Sequence, residues 1–324
     1  MTAVLCGSAV AVHAQQGRLR RVGVLAPSPP PPDLASVTAT EALERGLREL
    51  GWKLGADVVL EYRYASGSVD RMREQVGELV RLPVDVIVAR GTQATLLARE
   101  RAGAIPIVMS FVADPVGAGF IRSLARPGGS ITGLSFLVQA LQAKQLEYLK
   151  EAMPGLSRVA VLGNPASFPS TQYQSFVKAV ETGVAGLRLH HQIFEVRNSK
   201  ELRAAFAEIG AARFDGLLLF TDPFLLEPHR VEVVTFAAKH RLAAIYPWSH
   251  YVDVGGLMAY SASQYDLHRR AAAYVDRILK GARPADLPVE QPLRFEFVIN
   301  VKTAMALGLT LPQTLLLRAD RVVE

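Results

Sequence analysis

Two rhythms of hydrophobic and polar residues organise this chain. Short unbroken apolar runs read as strands buried on both faces, and longer stretches with apolar residues three and four apart read as amphipathic helices. Arg20–Leu25, Val58–Tyr62, Val84–Ala89 and Ile105–Phe111 are runs of the first kind, and Ser36–Leu50, Val69–Leu82 and Gln93–Ala102 are of the second. Strands alternating with helical segments of about 10 to 15 residues predict right-handed βαβ crossovers and a mostly parallel sheet.

The alternation then runs a second time. Strands are predicted at Arg158–Leu162, Arg188–Glu195, Gly216–Phe220, Ala243–Tyr246 and Leu257–Tyr260, with helices at Leu137–Met153, Ser170–Gly183, Ser199–Gly210 and Pro228–His240. Ser199 is the expected cap of its helix. A further helix spans Asp266–Lys280 and stops at Gly281; the tail holds a strand, Leu293–Asn300, and a short helix, Val301–Leu307, ended by Gly308. So short a tail does not fold alone and is expected to complete both lobes. The fold class is therefore α/β with two doubly wound parallel-sheet lobes. Residues 105–134 join them through a buried strand, a turn at Asp114-Pro115 that starts a short helix, and a strand after Arg126-Pro127-Gly128-Gly129 that leaves the first lobe.

The 324 residues, 50% of them hydrophobic and 20% charged, suffice for two cores of ordinary domain size. The net charge of +6 comes from 36 basic and 30 acidic residues scattered without a basic block, the pattern of a solvated surface and not of a nucleic-acid binder. Residues 1–14 carry no Lys, Arg, Asp or Glu and end in Val12-His13-Ala14, small-residue spacing of the kind cleaved after export. They are expected to be a signal-peptide remnant. Cys6, the only cysteine, would leave with it, and no apolar run is long enough to span a bilayer. A periplasmic mature chain without disulfides or thiolate metal sites is the expectation.

Catalytic patterns are missing from the sequence. No Gly-x-Ser-x-Gly elbow or His-Glu-x-x-His occurs, and His190-His191 sits in a predicted strand where neighbours point to opposite faces. The first strand runs into Ala26-Pro27-Ser28, where a dinucleotide fold needs its glycine fingerprint. A two-lobe racemase or dehydrogenase would need paired acid–base groups or a cofactor loop. The chain is read as a non-enzyme without cofactor or metal.

Polar residues at strand ends remain as candidates, because open α/β proteins bind ligands at the carboxyl edge of the sheet. Thr92 follows a predicted strand and opens a helix, so it can cap that helix while free N–H groups face an anion. Asp114-Pro115 has the chemistry of a helix start, which favours structure over ligand contact. In the second half, Asn164, Ser170, Thr171, Thr221 and Asp222 lie at strand ends or helix starts, and Asp222 is the better ligand candidate of the two Asp-Pro pairs. Trp248, Tyr260 and the neighbouring tyrosines offer an aromatic wall.

Three segments carry a resemblance: Asp114-Pro115-Val116-Gly117-Ala118-Gly119; Arg126-Pro127-Gly128-Gly129 through Thr132-Gly133; and Phe297-Val298-Ile299-Asn300-Val301-Lys302-Thr303-Ala304 with Leu307-Gly308-Leu309. With them, residues 19–323 resemble the ABC-transporter substrate-binding proteins, a family that includes binders of tryptophan and other aromatic amino acids. The resemblance implies a type I periplasmic binding fold whose lobes, 19–133 plus about 262–285 and 135–260 plus about 288–324, are joined by three crossovers. It also implies a pocket lined by Thr92, Gln93, Ser110, Ala113, Asp114, Ser135, Asn164, Ser170, Thr171, Thr221, Asp222, Trp248 and Tyr260. Gly163-Asn164-Pro165 stands where many relatives have Tyr-Asn-Pro, and Asp222-Pro223 where they have Asp-Asn, so tryptophan specificity is not carried over. The expected function is a monomeric periplasmic receptor that presents a small organic solute, a carboxylate-bearing amino acid or aromatic acid, to an ABC permease and its ATPase at the inner membrane. A ligand sensor for a membrane signalling partner is the alternative.

Overall fold

The computed structural model describes residues 18–32, 34–136 and 138–324. The expected signal peptide and Cys6 lie outside the described residues. The first lobe runs β1 (Arg20–Ala26), α1 (Leu34–Glu49), β2 (Val58–Tyr64), α2 (Val69–Arg81), β3 (Val86–Arg90), α3 (Thr92–Arg101), β4 (Ile107–Ala113) and β5 (Ile131–Phe136). Its sheet is parallel throughout, in the order β2-β1-β3-β4-β5. Strands β3, β4 and β5 are buried along their whole length, which is why they read as apolar runs. Helix α2 turns Met72, Val76 and Leu79 to one face of that sheet, and the Ser68 hydroxyl caps it by accepting the Arg71 N–H at 3.2 Å.

The second lobe begins with α4 (Val138–Ala152), β6 (Arg158–Gly163), α5 (Ser170–Gly186), β7 (His190–Glu195), α6 (Ser199–Ala211), β8 (Gly216–Leu219) and α7 (Arg230–Lys239). It continues with β9 (Ala243–Tyr246), α8 (His250–Asp253) and β10 (Met258–Ala262). Helix α9 (Gln264–Leu279) then packs on α1 and on β3, β4 and β5 of the first lobe. The chain returns to the second sheet as β11 (Phe295–Asn300), α10 (Val301–Leu307), α11 (Gln313–Leu316) and β12 (Arg321–Val323). The second sheet has the order β12-β11-β10-β9-β8-β6-β7, with only the β10–β11 pairing antiparallel.

Three passages between the sheets lie side by side. The Glu290 N–H donates to Gly133 O at 3.1 Å and the Ser135 N–H to Glu290 O at 3.0 Å, pairing the first passage with the third. The Ser263 N–H donates to Arg294 O at 3.0 Å, pairing the second with the third. Gly133 sits at φ +128 with Met109 of β4 so near that a Cβ would lie 2.1 Å from its carbonyl oxygen.

Local details differ from the sequence reading. Asp114-Pro115 starts no helix: residues 115–119 form a turn, with the Gly117 N–H donating to Asp114 Oδ1 at 2.9 Å and Asp114 at φ +32. Two glycines within the next five residues, Gly117 and Gly119, weaken any helix there. Asn198, not Ser199, caps α6, its Oδ1 accepting from the N–H groups of Lys200 and Glu201. Strand β12 is three residues long and mostly exposed, so it carries no apolar signal.

Candidate functional site

A cleft of about 1030 Å³, counting its open mouth, lies between the carboxyl edges of the two sheets. Its first wall comes from the loop after β1 (Ser28), the loop after β2 (Ser66), the β3–α3 junction (Arg90 to Ala94), Phe111, and Gln264 and His268 of α9. The second wall comes from Ser167 and Phe168 after β6, Thr221, Phe224, Glu227 and Arg230 after β8, and Trp248 and His250 after β9. Phe136 lies at the floor, where the chain leaves the first sheet.

Phe111 reaches this position through a register shift between Met109 and Val112, which leaves it at φ +59. A bulge redirects a side chain that a regular strand would send elsewhere. The Phe111 ring stacks on Phe136 with centroids 4.5 Å apart, and both also line a smaller cavity beneath the cleft with Gln142, Tyr260 and Ser261. The floor is thus aromatic.

The first wall favours an anion. Arg90 is buried beside the cleft, and α3 begins two residues on, at Thr92. Gly91 holds the N-cap position at φ +84, so the backbone turns without a side chain in the way and no side-chain oxygen caps the helix. The first N–H groups of a helix left uncapped in a cleft attract negative charge. His268 stays neutral here, because burial first and the Arg90 charge second push its pKa well below the ordinary value. Its Nδ1 lies 2.8 Å from Ser110 Oγ.

This histidine has a measurable consequence. The unfolded chain takes up a proton near pH 6.5 where folded His268 resists it, so below that pH the unfolded state binds more protons and stability falls with acidity. Wild type is expected to lose up to about 1.4 kcal/mol per pH unit more than His268→Gln below pH ~6.5, with no such difference in slope above pH ~7.5. Urea unfolding of both proteins from pH 8 to pH 5 measures this.

The structure sorts the residues expected from sequence. Thr92, Gln93, Thr221 and Trp248 line the cleft, and Tyr260 lines the cavity below it. Thr92 is the first helical residue of α3 and not its cap. Ser110 is buried behind His268, and Ser135 is buried in the first passage. Ala113 offers its carbonyl to the Gln172 side-chain amide of the other lobe, and Asp114 holds its own turn. Ser170 and Thr171 are exposed at the start of α5, where the Thr171 hydroxyl donates to Gly117 O at 3.3 Å. Gln93 Nε2 likewise donates to Ala166 O at 3.2 Å, so several contacts hold the two walls together.

Asp222 and Asn164 are structural, which corrects the expectation that Asp222 reads the ligand. Asp222 is fully buried. Its carboxylate accepts from Ser167 Oγ (2.5 Å), Asn164 Nδ2 (3.2 Å) and the N–H groups of Phe224 (3.0 Å), Leu225 (3.2 Å) and Leu226 (2.9 Å). Asn164 Oδ1 accepts the Ala166 N–H at 3.0 Å. A carboxylate with this many donors has no lone pair to spare. What it does is shape the turn that carries Phe224 and Glu227.

A profile of the family described as ABC transporter substrate binding protein matches residues 34–323. The chain belongs to this family. Among relatives of this binding protein, the tyrosine-binding protein of Clostridioides difficile (strain R20291) is 23% identical over 273 residues, 84% of this chain and 76% of that protein. The ABC domain from Streptococcus pneumonia in complex with L-Trp superposes with a TM-score of 0.86 at 24% identity, covering 94% of this chain and 100% of that one. The ligand-free, open structure of a substrate binding protein with adhesive properties from Clostridium difficile gives 0.70 at 21% identity, covering 94% and 99%. The likeness to these structures confirms the type I two-lobed fold.

The cleft is lined by several groups that sequence reasoning passed over. Arg90 carried a signal, a charged residue closing the apolar run Val84–Ala89. Glu227, His250 and His268 carried none, since each lies in a turn or helix whose place opposite the cleft depends on the lobes meeting. Among the described residues no helix is long and apolar enough to cross a membrane.

Proposed function

We propose that this binding protein is the periplasmic receptor of an ABC importer, taking up a small carboxylate-bearing organic solute, an amino acid or aromatic acid, and delivering it to a membrane permease driven by an ATPase. One observation carries the reading: Arg90 and the uncapped start of α3 form a positive wall over an aromatic floor in the inter-lobe cleft. A carboxylate on that wall and an apolar body on Phe111 and Phe136 would be covered by the second lobe, favouring a closed form that a permease recognises. The lobes turn about the three passages near residues 134, 263 and 290. The receptor acts as a monomer and performs no chemistry on its cargo.

Thermal unfolding with a panel of amino acids, aromatic acids and neutral analogues tests this. At a ligand excess of about 100 times Kd, linkage adds about 2.7 kcal/mol, a rise of several degrees in Tm. The rise is expected with carboxylates and not with their amides. Stabilisation by amides as strong as by the acids, or by no member of the panel, contradicts the proposal.

A further inference from the structure

The mouth of the cleft is spanned by contacts that the two lobes make with each other. The first lobe has a core of its own, built from β1, α2, β3, α3, β4 and β5. Apart from Val289 of the third passage, the one described residue outside the first lobe that packs against this core is Phe224. Phe224 is carried by the turn after β8, and that turn is held rigidly: the Asp222 carboxylate accepts the N–H groups of Phe224, Leu225 and Leu226. The receiving loop after β2 is tied down as well, with the Ala65 N–H donating to Ala26 O at 2.9 Å and the Gly67 N–H to Pro27 O at 2.8 Å. Gly67 sits at φ +76, so near the turn that a Cβ there would lie 3.3 Å from Phe224 O.

A second group of contacts bridges the lobes at the start of α5. Gln172, 1% exposed, donates its side-chain amide to Ala113 O at the end of β4. The Thr171 hydroxyl donates to Gly117 O and Gln93 Nε2 to Ala166 O. All three acceptors are backbone carbonyls, so the bonds depend on how near the two backbones come. Gln172 and Thr171 are not among the residues lining the cleft, and their bonds form whatever the cleft holds. The seat of Phe224 is also well placed to sense opening. Strand β2 is the edge of the first sheet farthest from β5, through which the first passage leaves. Four strand spacings of about 4.8 Å put that seat about 19 Å from the passage, so a rotation of about 20° would part it by about 7 Å, beyond any contact.

We propose that Phe224 seated on the first lobe and Gln172 bonded to Ala113 form a latch that closes the chain before any cargo arrives, with about half or more of the ligand-free molecules in the closed form. This goes beyond the receptor reading and needs no knowledge of the cargo. A latch made of protein contacts stabilises the empty and the loaded closed forms alike. Once the closed form dominates, tightening the latch adds no affinity; it lowers the share of molecules with an open mouth, and with it the rate of capture. Cleft and latch then have separate tasks. The cleft sets which solute is held, and the latch sets how often one can enter.

Spin labels at two exposed sites, Glu74→Cys on α2 and Lys239→Cys on α7 in a Cys6→Ser background, test this by reporting the lobe separation of the full chain in pulsed dipolar spectroscopy. The protein is first unfolded, dialysed and refolded to remove any bound solute. With the latch intact, the main population is expected at the short separation of this structure. Gln172→Leu and Phe224→Ser should each move weight to a separation several ångströms longer, and together lower the closed-to-open ratio about tenfold or more. An intact chain found mainly at the longer separation overturns the proposal. So does a double variant whose distribution matches that of the intact chain, which would assign closure to other contacts. Phe224 also lines the cleft, so Gln172→Leu is the cleaner probe, and with the intact chain it decides the matter even where Phe224→Ser does not fold. Neither negative result touches the receptor reading, since a ligand can close a receptor that rests open.

Discussion

Asp222→Ala is expected to lower the unfolding free energy by about 4 kcal/mol, the scale of breaking a buried charge network. The substitution strands five donors at once: Asn164 Nδ2, Ser167 Oγ and three successive backbone N–H groups from Phe224 to Leu226. Each buried donor without an acceptor costs about 1–3 kcal/mol, and relaxation of the turn recovers part of the sum. Asp222→Asn keeps the shape but offers an NH2 where an oxygen accepts, so about half the loss is expected of it. Denaturant unfolding with matched m-values measures both. Because the turn carries Phe224 and Glu227, ligand affinity should fall in these variants as well. A loss below ~1 kcal/mol for the alanine variant would mean that the turn holds without its carboxylate.

Gly133→Ala should be at least as damaging, with an expected cost of about 4 kcal/mol or more. An added Cβ would lie 2.1 Å from Met109 O and 2.9 Å from Met109 N, both backbone atoms within a sheet pairing that cannot yield cheaply. The φ of +128 is itself closed to an L side chain. Any shift of β5 that relieved the clash would pull Gly133 O from the Glu290 N–H and so disturb the pairing of the first and third passages. Gly129→Ala is the control: it meets nothing within 4 Å and is expected to cost less than ~1 kcal/mol. Comparing soluble yield and urea midpoints of the two variants with wild type checks the contrast.

The two substitutions bear on what could be read beforehand. Asp222-Pro223 was visible as an acidic residue at a strand end, yet its carboxylate serves the turn. Glu227, five residues on, has no sequence mark beyond its charge, and it is the acidic group left with an acceptor in the cleft. Strand-end position is a local property, whereas spare hydrogen-bonding capacity depends on which donors the folded chain brings near. The same distinction separates Thr92, which lines the cleft, from Ser110, which lies one layer deeper behind His268. Phe111 belongs with them: its strand was evident, but the bulge that turns its ring onto Phe136 was not.

The sequence alone determined the alternation of strands and helices, the division into two lobes and the carboxyl edges where ligands bind, because burial on both faces of a parallel sheet leaves unbroken apolar runs and helices leave a three-to-four spacing. Its motifs also determined the family. Only the tertiary structure decided which polar residues face the cleft and which are consumed by the fold. That choice arises where two lobes, three chain passages and α9 converge. Groups far apart in the chain, Arg90 and Glu227 above all, become opposite walls of one site through packing that no local pattern encodes.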